Sequence, residues 1–390
     1  MLIFGNNVRQ NRKNEYKNHK KSRKKSIILT GGGSAGHVIP NLILLPDLIA
    51  DGWDVHYIGS RNGIEAQLAQ REGVAYHTIA TGKLRRYFDI KNFTDPFRVI
   101  AGILQSIYFI AKIKPRVIFS KGGFVAVPVV LGGWLLGRPV AIHESDFTQG
   151  LANRICAPFS SVICVSFEKT LKPLSARMRR KSIYTGAPVR AELSGGDAEE
   201  GYSLCGFNSA KPVLLVIGGS QGSEHLNKLI RAALPELQKT WQVAHLCGKG
   251  GLDATLLNTE GYAQFEYAGD EMAHLYKISR AAVSRSGSNT IFELLFLKIP
   301  SVLIPIPLYA SRGDQILNAE EFEKAGYCIK LDEEKAENVE SLINTLASLD
   351  ENHSSFVKAM SEAHIPDTKA LLLGAIYKAA LKYRDFPKEY

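Results

Sequence analysis

Two glycine turns in this sequence could hold an anion. Gly218-Gly-Ser-Gln-Gly222 sits between an apolar run, Pro212–Ile217, and a helical pattern over Glu224–Leu234. Such a turn leaves backbone N–H groups free above a helix N-terminus, where the helix dipole favours negative charge. Ser220 adds a hydroxyl donor, so a diphosphate is the natural ligand; a turn made for packing alone reads the same way. A second helix start, Arg285-Ser-Gly-Ser-Asn289, follows the strand-like Ala281–Ser284, and there Ser288 and Asn289 offer N–H groups to phosphate. Glu293, in the early turns of a helix over Thr290–Leu297, has the two oxygens that a ribose diol needs as acceptors. Its other reading is compensation of the helix dipole.

Further along, the proline-broken loop Pro305–Asn318 leaves the apolar strand Ser301–Ile304. Open α/β sheets bind ligands beyond the carboxyl ends of their strands. Asp314 and Gln315 are the side chains there suited to sugar hydroxyls, with a helix N-cap as the alternative for Asp314. In the first half of the chain, His37 closes the loop Gly31-Gly-Gly-Ser-Ala-Gly36. A histidine in that position is a general base, with an ordinary pKa near ~6.5, or a loop-packing residue. Gly122-Gly123 and His143-Glu144-Ser145-Asp146 follow apolar strands on the same rim.

There is no Asp-x-Asp pair and no His/Cys ligand cluster, and the five cysteines are scattered. That pattern argues against a metal-held diphosphate, a zinc site or a disulfide framework, and no cofactor is expected. Charge on a leaving diphosphate then falls to loop N–H groups, a helix dipole and an arginine. Arg190, in Gly186-Ala-Pro-Val-Arg190, is the candidate.

The elements that must position these residues are strand, turn and helix, repeated. Ser26–Thr30 opens the first unit, with its helix through Leu42, Leu45, Leu48 and Ile49; Asp54–Ile58, Val117–Phe119, Val140–His143 and Val162–Val165 continue it. The second opening at Pro212 repeats the pattern about one domain length later. The fold class read from this is α/β, two Rossmann-like domains with a cleft between them. Gly195–Gly201 is a polar, glycine-rich stretch suited to a linker, and the hinge falls near residue 190. The expected division is a tail at 1–25, a first domain at 26–189, a second at 190–364, and a C-terminal helix in 365–390 that packs back on the first domain.

Of 390 residues, 45% are hydrophobic and 22% charged, enough for two cores. The net charge of +10 is concentrated: residues 1–25 carry +8 and the rest only +2. A basic folded body for nucleic acid is therefore not indicated. The tail, rich in Asn, Lys and Arg, reads as disordered, and its readings are solvation, attraction to anionic lipid, or nucleic acid. It lacks the apolar core of a secretion signal. The apolar stretch Phe97–Ile113 is interrupted by Arg98, Gln105 and Lys112, so no segment is expected to span a membrane. Between Gly82 and Ile113, cations alternate with aromatics including Tyr87, Phe88, Phe93 and Phe97, which suits a helix lying on an anionic surface or one face of a core.

Taken together, GGGSAGHVIPN (31–41), SKGGFVAVP (120–128), HESDFTQGLANR (143–154), GAPVR (186–190), GGSQG (218–222), RSGSNTIFEL (285–294) and SRGDQILNA (311–319) resemble the MurG family of glycosyltransferases. The likeness runs from about Ser26 through the C-terminal helix. It implies the GT-B architecture and inverting transfer of N-acetylglucosamine from UDP-N-acetylglucosamine to undecaprenyl-diphosphate-linked N-acetylmuramoyl pentapeptide, at the cytoplasmic face of a membrane. It implies a diphosphate near Ser220, Ser288 and Asn289, ribose on Glu293, uracil against backbone near Gly269, and N-acetylglucosamine read by Gln315. Arg190 belongs to the donor site; Ser34, Ala35, Gly36, His37 and Asn153 face the transferring sugar or the acceptor. Asp146 stands where many members have Asn, and Asp314 where many have the first Gln of a pair. Rival readings are a diacylglycerol sugar transferase, a sugar-nucleotide epimerase and a non-catalytic UDP-binding module.

Overall fold

Apolar runs rich in Val, Ile and Leu, bounded by glycine, form the strands of two all-parallel sheets in the computed structural model. It describes residues 25–82, 91–219, 222–336 and 338–381; Ser220, most of the basic tail, and Tyr87 with Phe88 lie outside the described residues. The first sheet contains β1 (Lys25–Thr30), β2 (Trp53–Ser60), β3 (Ala75–Ile79), β4 (Val117–Ser120), β5 (Val140–Glu144), β6 (Val162–Val165) and β7 (Ser182–Tyr184), in the order β3-β2-β1-β4-β5-β6-β7. The second contains β8 (Val213–Ile217), β9 (Gln242–Leu246), β10 (Tyr262–Phe265), β11 (Ser279–Ser284), β12 (Ser301–Leu303) and β13 (Cys328–Lys330), in the order β10-β9-β8-β11-β12-β13. In each sheet the order reverses beside the opening strand, β1 next to β4 and β8 next to β11. Loops that leave such neighbours in opposite directions open a crevice between them, where ligands bind.

Both faces of each sheet are covered, which is why the strands are apolar without alternation. Ile27 and Leu29 pack into one layer and Ile28 into the other. Leu214 and Val216 divide from Val213, Leu215 and Ile217 in the same way. The helix Thr368–Leu381 puts Leu372, Ala375, Ile376 and Ala379 into the layer with Ile27 and Leu29, and Tyr377 stacks on Trp53 at 5.7 Å. The chain thus returns from the second half to cover the first. A fifth cluster joins the halves, with Phe167 and Ala187 packed among Phe292, Leu295 and Phe322.

Two expectations need correcting. Gly195–Gly201 is not a loose linker. Gly195 ends the 3-10 turn Ala191–Gly195, and Asp197 caps the helix Ala198–Cys205. A Cβ on Gly196 would lie 2.0 Å from the Ala273 carbonyl oxygen, so glycine here serves close packing. Second, Asp95–Ile113 is long and apolar enough to cross a membrane by length and composition, although no spanning segment was expected. Arg98 and Lys112 sit near the two ends of this stretch and leave an apolar middle. Within the fold it is part of the helix Lys91–Ile113, the crossover between β3 and β4, buried along Gly102, Ser106 and Ile110.

Candidate active site in the interdomain cleft

The second half supplies a cavity of about 270 Å³ between the glycine turn after β8 and the helix start after β11, lined by Gly218, Gly222, Ser223, Gly287, Thr290 and Gln315, among others. Gly222 has φ +75, which a side chain would strain. Gly287 caps the helix Ser288–Leu297 without a side-chain hydrogen bond, leaving the first-turn N–H groups for a ligand. Beneath the cavity Arg285 is buried and fully engaged. It donates to Ser223 Oγ at 2.9 and 3.2 Å and to the Ile304 carbonyl at 3.0 Å, and it pairs with Glu333. It therefore fixes the turn, β12 and Glu333 relative to one another.

One turn along the same helix, Glu293 faces Arg190. Arg190 Nη2 lies 3.5 Å from Glu293 Oε1, and Tyr276 Oη donates to Oε2 at 2.9 Å. Burial pushes the Glu293 carboxyl up, against the pull of Arg190 and Tyr276. Arg190 Nε is buried without a hydrogen-bond partner among the described residues. Gln315 accepts from Ile306 N–H at 3.2 Å through its side chain and from Ser286 Oγ at 2.8 Å through its carbonyl. Its amide is thus already oriented at the cavity wall. Gly269 lies in the loop after β10, and its N–H donates to Glu271 Oε2 at 2.8 Å. Of the backbone groups near the proposed base site, that one is already occupied.

The first half presents Ser34, Ala35 and Gly36 in a loop ending in a 3-10 turn at His37. Gly33 has φ +88, and Glu65 lies under the loop, accepting from Gly33 N–H at 3.3 Å and Ser60 N–H at 3.1 Å. His37 Nδ1 is 3.2 Å from the Lys121 carbonyl oxygen. A carbonyl only accepts, so Nδ1 carries the proton and Nε2 keeps its lone pair. Burial, and then the charge of Lys121, hold the imidazole well below its ordinary value, at about 4. Asn153 is buried; its amide nitrogen donates to the His143 carbonyl at 3.1 Å and Glu144 Oε2 at 2.9 Å, while its Oδ1 has no hydrogen-bond partner among the described residues. Its side chain is thereby fixed in the loop wall.

Contacts across the cleft bring the halves into register. Asn289 Nδ2 reaches the Gly36 carbonyl at 3.4 Å, which sets the helix start after β11 directly against the loop after β1. Asn318, fully buried, donates to Asp146 Oδ1 and the Ser286 carbonyl, both at 3.1 Å, and accepts from Phe147 N–H at 2.9 Å. Arg312 lies 2.6 Å from Asp314 and 3.8 Å from Asp146. Burial and the nearby Asp146 raise the Asp314 carboxyl, with Arg312 opposing. Asp314 opens the helix Asp314–Lys324 without a side-chain cap bond at its N-cap, so its carboxylate is committed to Arg312 instead.

Asn289, Glu293, Arg190 and Gln315 therefore converge with Ser34–His37 around one cleft, while the Asn153 amide nitrogen and the Gly269 N–H are already bonded within the protein. The sequence reading passed over Tyr276, Glu65, Lys121, Arg285, Arg312 and Asn318. Lys121, Arg285, Arg312 and Asn318 stood inside motif strings already singled out. Tyr276 and Glu65 lie in ordinary helical patterns, with no local signal.

The chain matches the glycosyltransferase family 28 N-terminal domain over residues 27–164 and the family's C-terminal domain over 213–372. A Bacillus cereus protein is 52% identical over 87% of this chain and 95% of its own length. It is named UDP-N-acetylglucosamine--N-acetylmuramyl-(pentapeptide) pyrophosphoryl-undecaprenol N-acetylglucosamine transferase 2. A Geobacillus thermodenitrificans protein, named as the same transferase without the number, is 50% identical over 92% of this chain and 99% of its own. Among solved structures, Acinetobacter baumannii MurG superposes with a TM-score of 0.70 at 23% identity, covering 91% of this chain and 99% of that one. A Neisseria meningitidis UDP-GlcNAc 2-epimerase gives 0.63 at 12% identity, covering 90% and 99%. The fold is thus shared with an enzyme of another class.

Proposed function

This chain belongs to glycosyltransferase family 28, and on that premise we propose that it transfers N-acetylglucosamine from UDP-N-acetylglucosamine to undecaprenyl-diphosphate-linked N-acetylmuramoyl pentapeptide. The observation that carries this reading is the identity of about half, over nearly their whole length, with relatives named for that reaction. The geometry agrees with it: a cavity at two helix-side turns for a diphosphate, and a histidine with a free Nε2 on the opposite wall.

In the proposed division of labour, residues 190–364 hold the donor and 26–189 the acceptor. The diphosphate lies against the turns at 218–222 and 287–289, ribose hydroxyls on Glu293, and the N-acetylglucosamine beside Gln315. Arg190 stands next to Glu293 and adds positive potential on the leaving-group side. A sugar hydroxyl of the acceptor attacks the anomeric carbon from the face opposite UDP. The new C–O bond forms as the bond to the phosphate oxygen breaks, and UDP leaves with that electron pair. The hydroxyl proton passes to His37 Nε2. Because its conjugate acid is strong, at about 4, His37 is a weak base and takes the proton late, as the attacking oxygen becomes positive.

The acceptor's lipid tail sits in a bilayer, so the first half works at the cytoplasmic face, held peripherally by anionic lipid and not engaged with nucleic acid. Incubating the full chain with labelled UDP-N-acetylglucosamine, with and without the lipid acceptor, tests the reading. Label should move to the lipid, with inversion. Conversion of the sugar nucleotide without lipid would instead identify an epimerase, and label on diacylglycerol a different transferase.

A further inference from the structure

The lip of the donor cavity is aromatic. Tyr309, in the loop between β12 and the helix Asp314–Lys324, lines the cavity together with Gly218, Gly287 and Gln315, yet it is 81% exposed. A single exposed tyrosine means little by itself. The loop that carries this one is what sets it apart. Pro305 and Pro307 restrict its start. Ile306 N–H donates to Gln315 Oε1 at 3.2 Å, so the loop springs from the residue assigned to the sugar. Ala310 N–H and Ser311 N–H both donate to the Pro307 carbonyl, at 3.1 and 3.0 Å. Ser311 Oγ donates to the Ile306 carbonyl at 3.0 Å and accepts from Gly313 N–H at 3.1 Å. Gly313 has φ +81, and a Cβ there would come within 2.7 Å of Leu308 Cδ2, so Leu308 lies back along its own loop. None of these contacts uses the Tyr309 side chain. The turn is built around a ring that it holds out at the cavity mouth.

Strand order says what that ring faces. The second sheet runs β10-β9-β8-β11-β12-β13. The base is assigned to the loop after β10 and the diphosphate to the turns after β8 and β11. The loop after β12 comes next in the same direction. A nucleotide sugar laid across these strand ends from β10 therefore brings its sugar, and not its base, to Tyr309. We propose that the Tyr309 ring packs against the N-acetylglucosamine of the donor and is a specificity determinant for that sugar. The faces of a pyranose carry C–H bonds and the acetamido group ends in a methyl; both gain by leaving water against an aromatic ring. Because the loop is already set, little ordering cost offsets that gain. Gln315 then meets the polar edge of the sugar and Tyr309 its apolar surface.

The inference rests on the proposed donor, and the test separates the two. Calorimetry on the full chain compares UDP with UDP-N-acetylglucosamine for wild type, Tyr309→Ser and Tyr309→Phe, with thermal melts alongside. Tyr309→Ser should weaken UDP-N-acetylglucosamine roughly ten-fold, about 1.4 kcal/mol, and leave UDP within about two-fold. Tyr309→Phe, which keeps the ring, should hold both within about two-fold. Equal losses for the two ligands would place the ring over the nucleotide and overturn the inference. So would unchanged affinity for both in Tyr309→Ser, or a Tyr309→Phe as weak as Tyr309→Ser, which would mean a hydroxyl bond in place of packing. Failure of the wild type to bind UDP-N-acetylglucosamine would overturn the donor assignment, and the inference with it. A wild type that binds the donor but labels no lipid would overturn the reaction assignment alone, and the binding comparison would still decide the role of Tyr309.

Discussion

Arg190 Nη2 and Glu293 Oε1 stand 3.5 Å apart, so the arginine expected to meet the leaving group and the carboxylate expected to hold the ribose form one unit. Tyr276 completes it from the helix Met272–Ile278. An ionised carboxylate has about four acceptor positions, and these two partners leave room for a diol. Glu293→Ala should therefore weaken UDP-N-acetylglucosamine binding by roughly 1–3 kcal/mol, read by calorimetry. Tyr276→Phe should weaken it by less, on the order of 1 kcal/mol. Unchanged affinity in Glu293→Ala would return the residue to a helix-dipole role.

His37→Ala should lower turnover by roughly 10²–10⁴-fold with little change in UDP affinity. Because burial and Lys121 hold His37 at about 4, against 6.5 for an ordinary histidine, it is neutral throughout the physiological range. Its protonation cannot be the source of an activity limb near neutrality. For stability the unfolded chain binds the extra proton first, so His37 opposes folding as pH falls from its unfolded value towards about 4. His37→Ala should thus be less acid-sensitive over that window than wild type, in melts across a pH series. Near-normal turnover would leave His37 a loop-packing residue.

Much of the fold was legible because it is written locally. The runs Ser26–Thr30, Val162–Val165 and Val213–Ile217 are buried on both faces and read as strands without help from context. The glycine turns announced the crevices beside β1 and β8 for a related reason, since glycine readily takes the positive φ of Gly33 and Gly222. What was not legible depends on residues distant in sequence. Asn153 looked available to a sugar because nothing local says that its amide turns inward to Glu144. Asn318 bonds Asp146 and Phe147 across the domain boundary, and the Glu65 carboxylate reaches the Gly33 amide only through the fold. Gly196 resembled a linker because its tight approach to Ala273 is tertiary.

Asn318→Ala tests the domain register. It leaves the Phe147 N–H and the Ser286 carbonyl short of partners at a buried contact. The expected cost is roughly 1–3 kcal/mol of stability, with a fall in kcat larger than any change in UDP affinity. Calorimetric melts and steady-state kinetics measure both. A variant with wild-type melting would mean that the Phe147 contacts alone hold the halves together.

Donor binding should not depend on a divalent cation. Among the described residues no group of three His, Cys, Asp or Glu side chains is placed to hold one. On the proposed reading, the N–H groups at Gly287–Asn289 and the Arg190 guanidinium are to supply the positive potential instead. UDP affinity in EDTA should match that in magnesium within about two-fold, a difference of well under 1 kcal/mol. A large loss in EDTA would count against the assignment of the diphosphate to these loops.

The final prediction concerns the crossover helix between β3 and β4. Its outer face exposes Phe97, Ile100, Leu104 and Tyr108, between 56% and 74% accessible, and the neighbouring helix adds exposed Trp134 and Leu135. Arg98, Lys112 and Lys114 flank this stripe, with Lys112 over the Tyr108 ring at 6.0 Å. Apolar side chains entering a headgroup layer, with cations meeting lipid phosphates, is the chemistry of a helix lying in the interface. Although the helix is long enough to span, Gly102 and Ser106 hold it against the helix Ala126–Leu135, where a Cβ on Gly132 would already meet Ser106. Withdrawing it into a bilayer would strip that packing and both strand connections. A protein lacking residues 1–24 should therefore bind anionic vesicles, release at high salt, and be extracted by alkaline carbonate. Leu104→Ser with Tyr108→Ser should weaken partitioning by roughly ten-fold or more, on the basis of ~1 kcal/mol per partly buried side chain, without lowering the melting temperature. Binding that disappears with the tail alone would make the tail the anchor, and resistance to carbonate would make the helix a span.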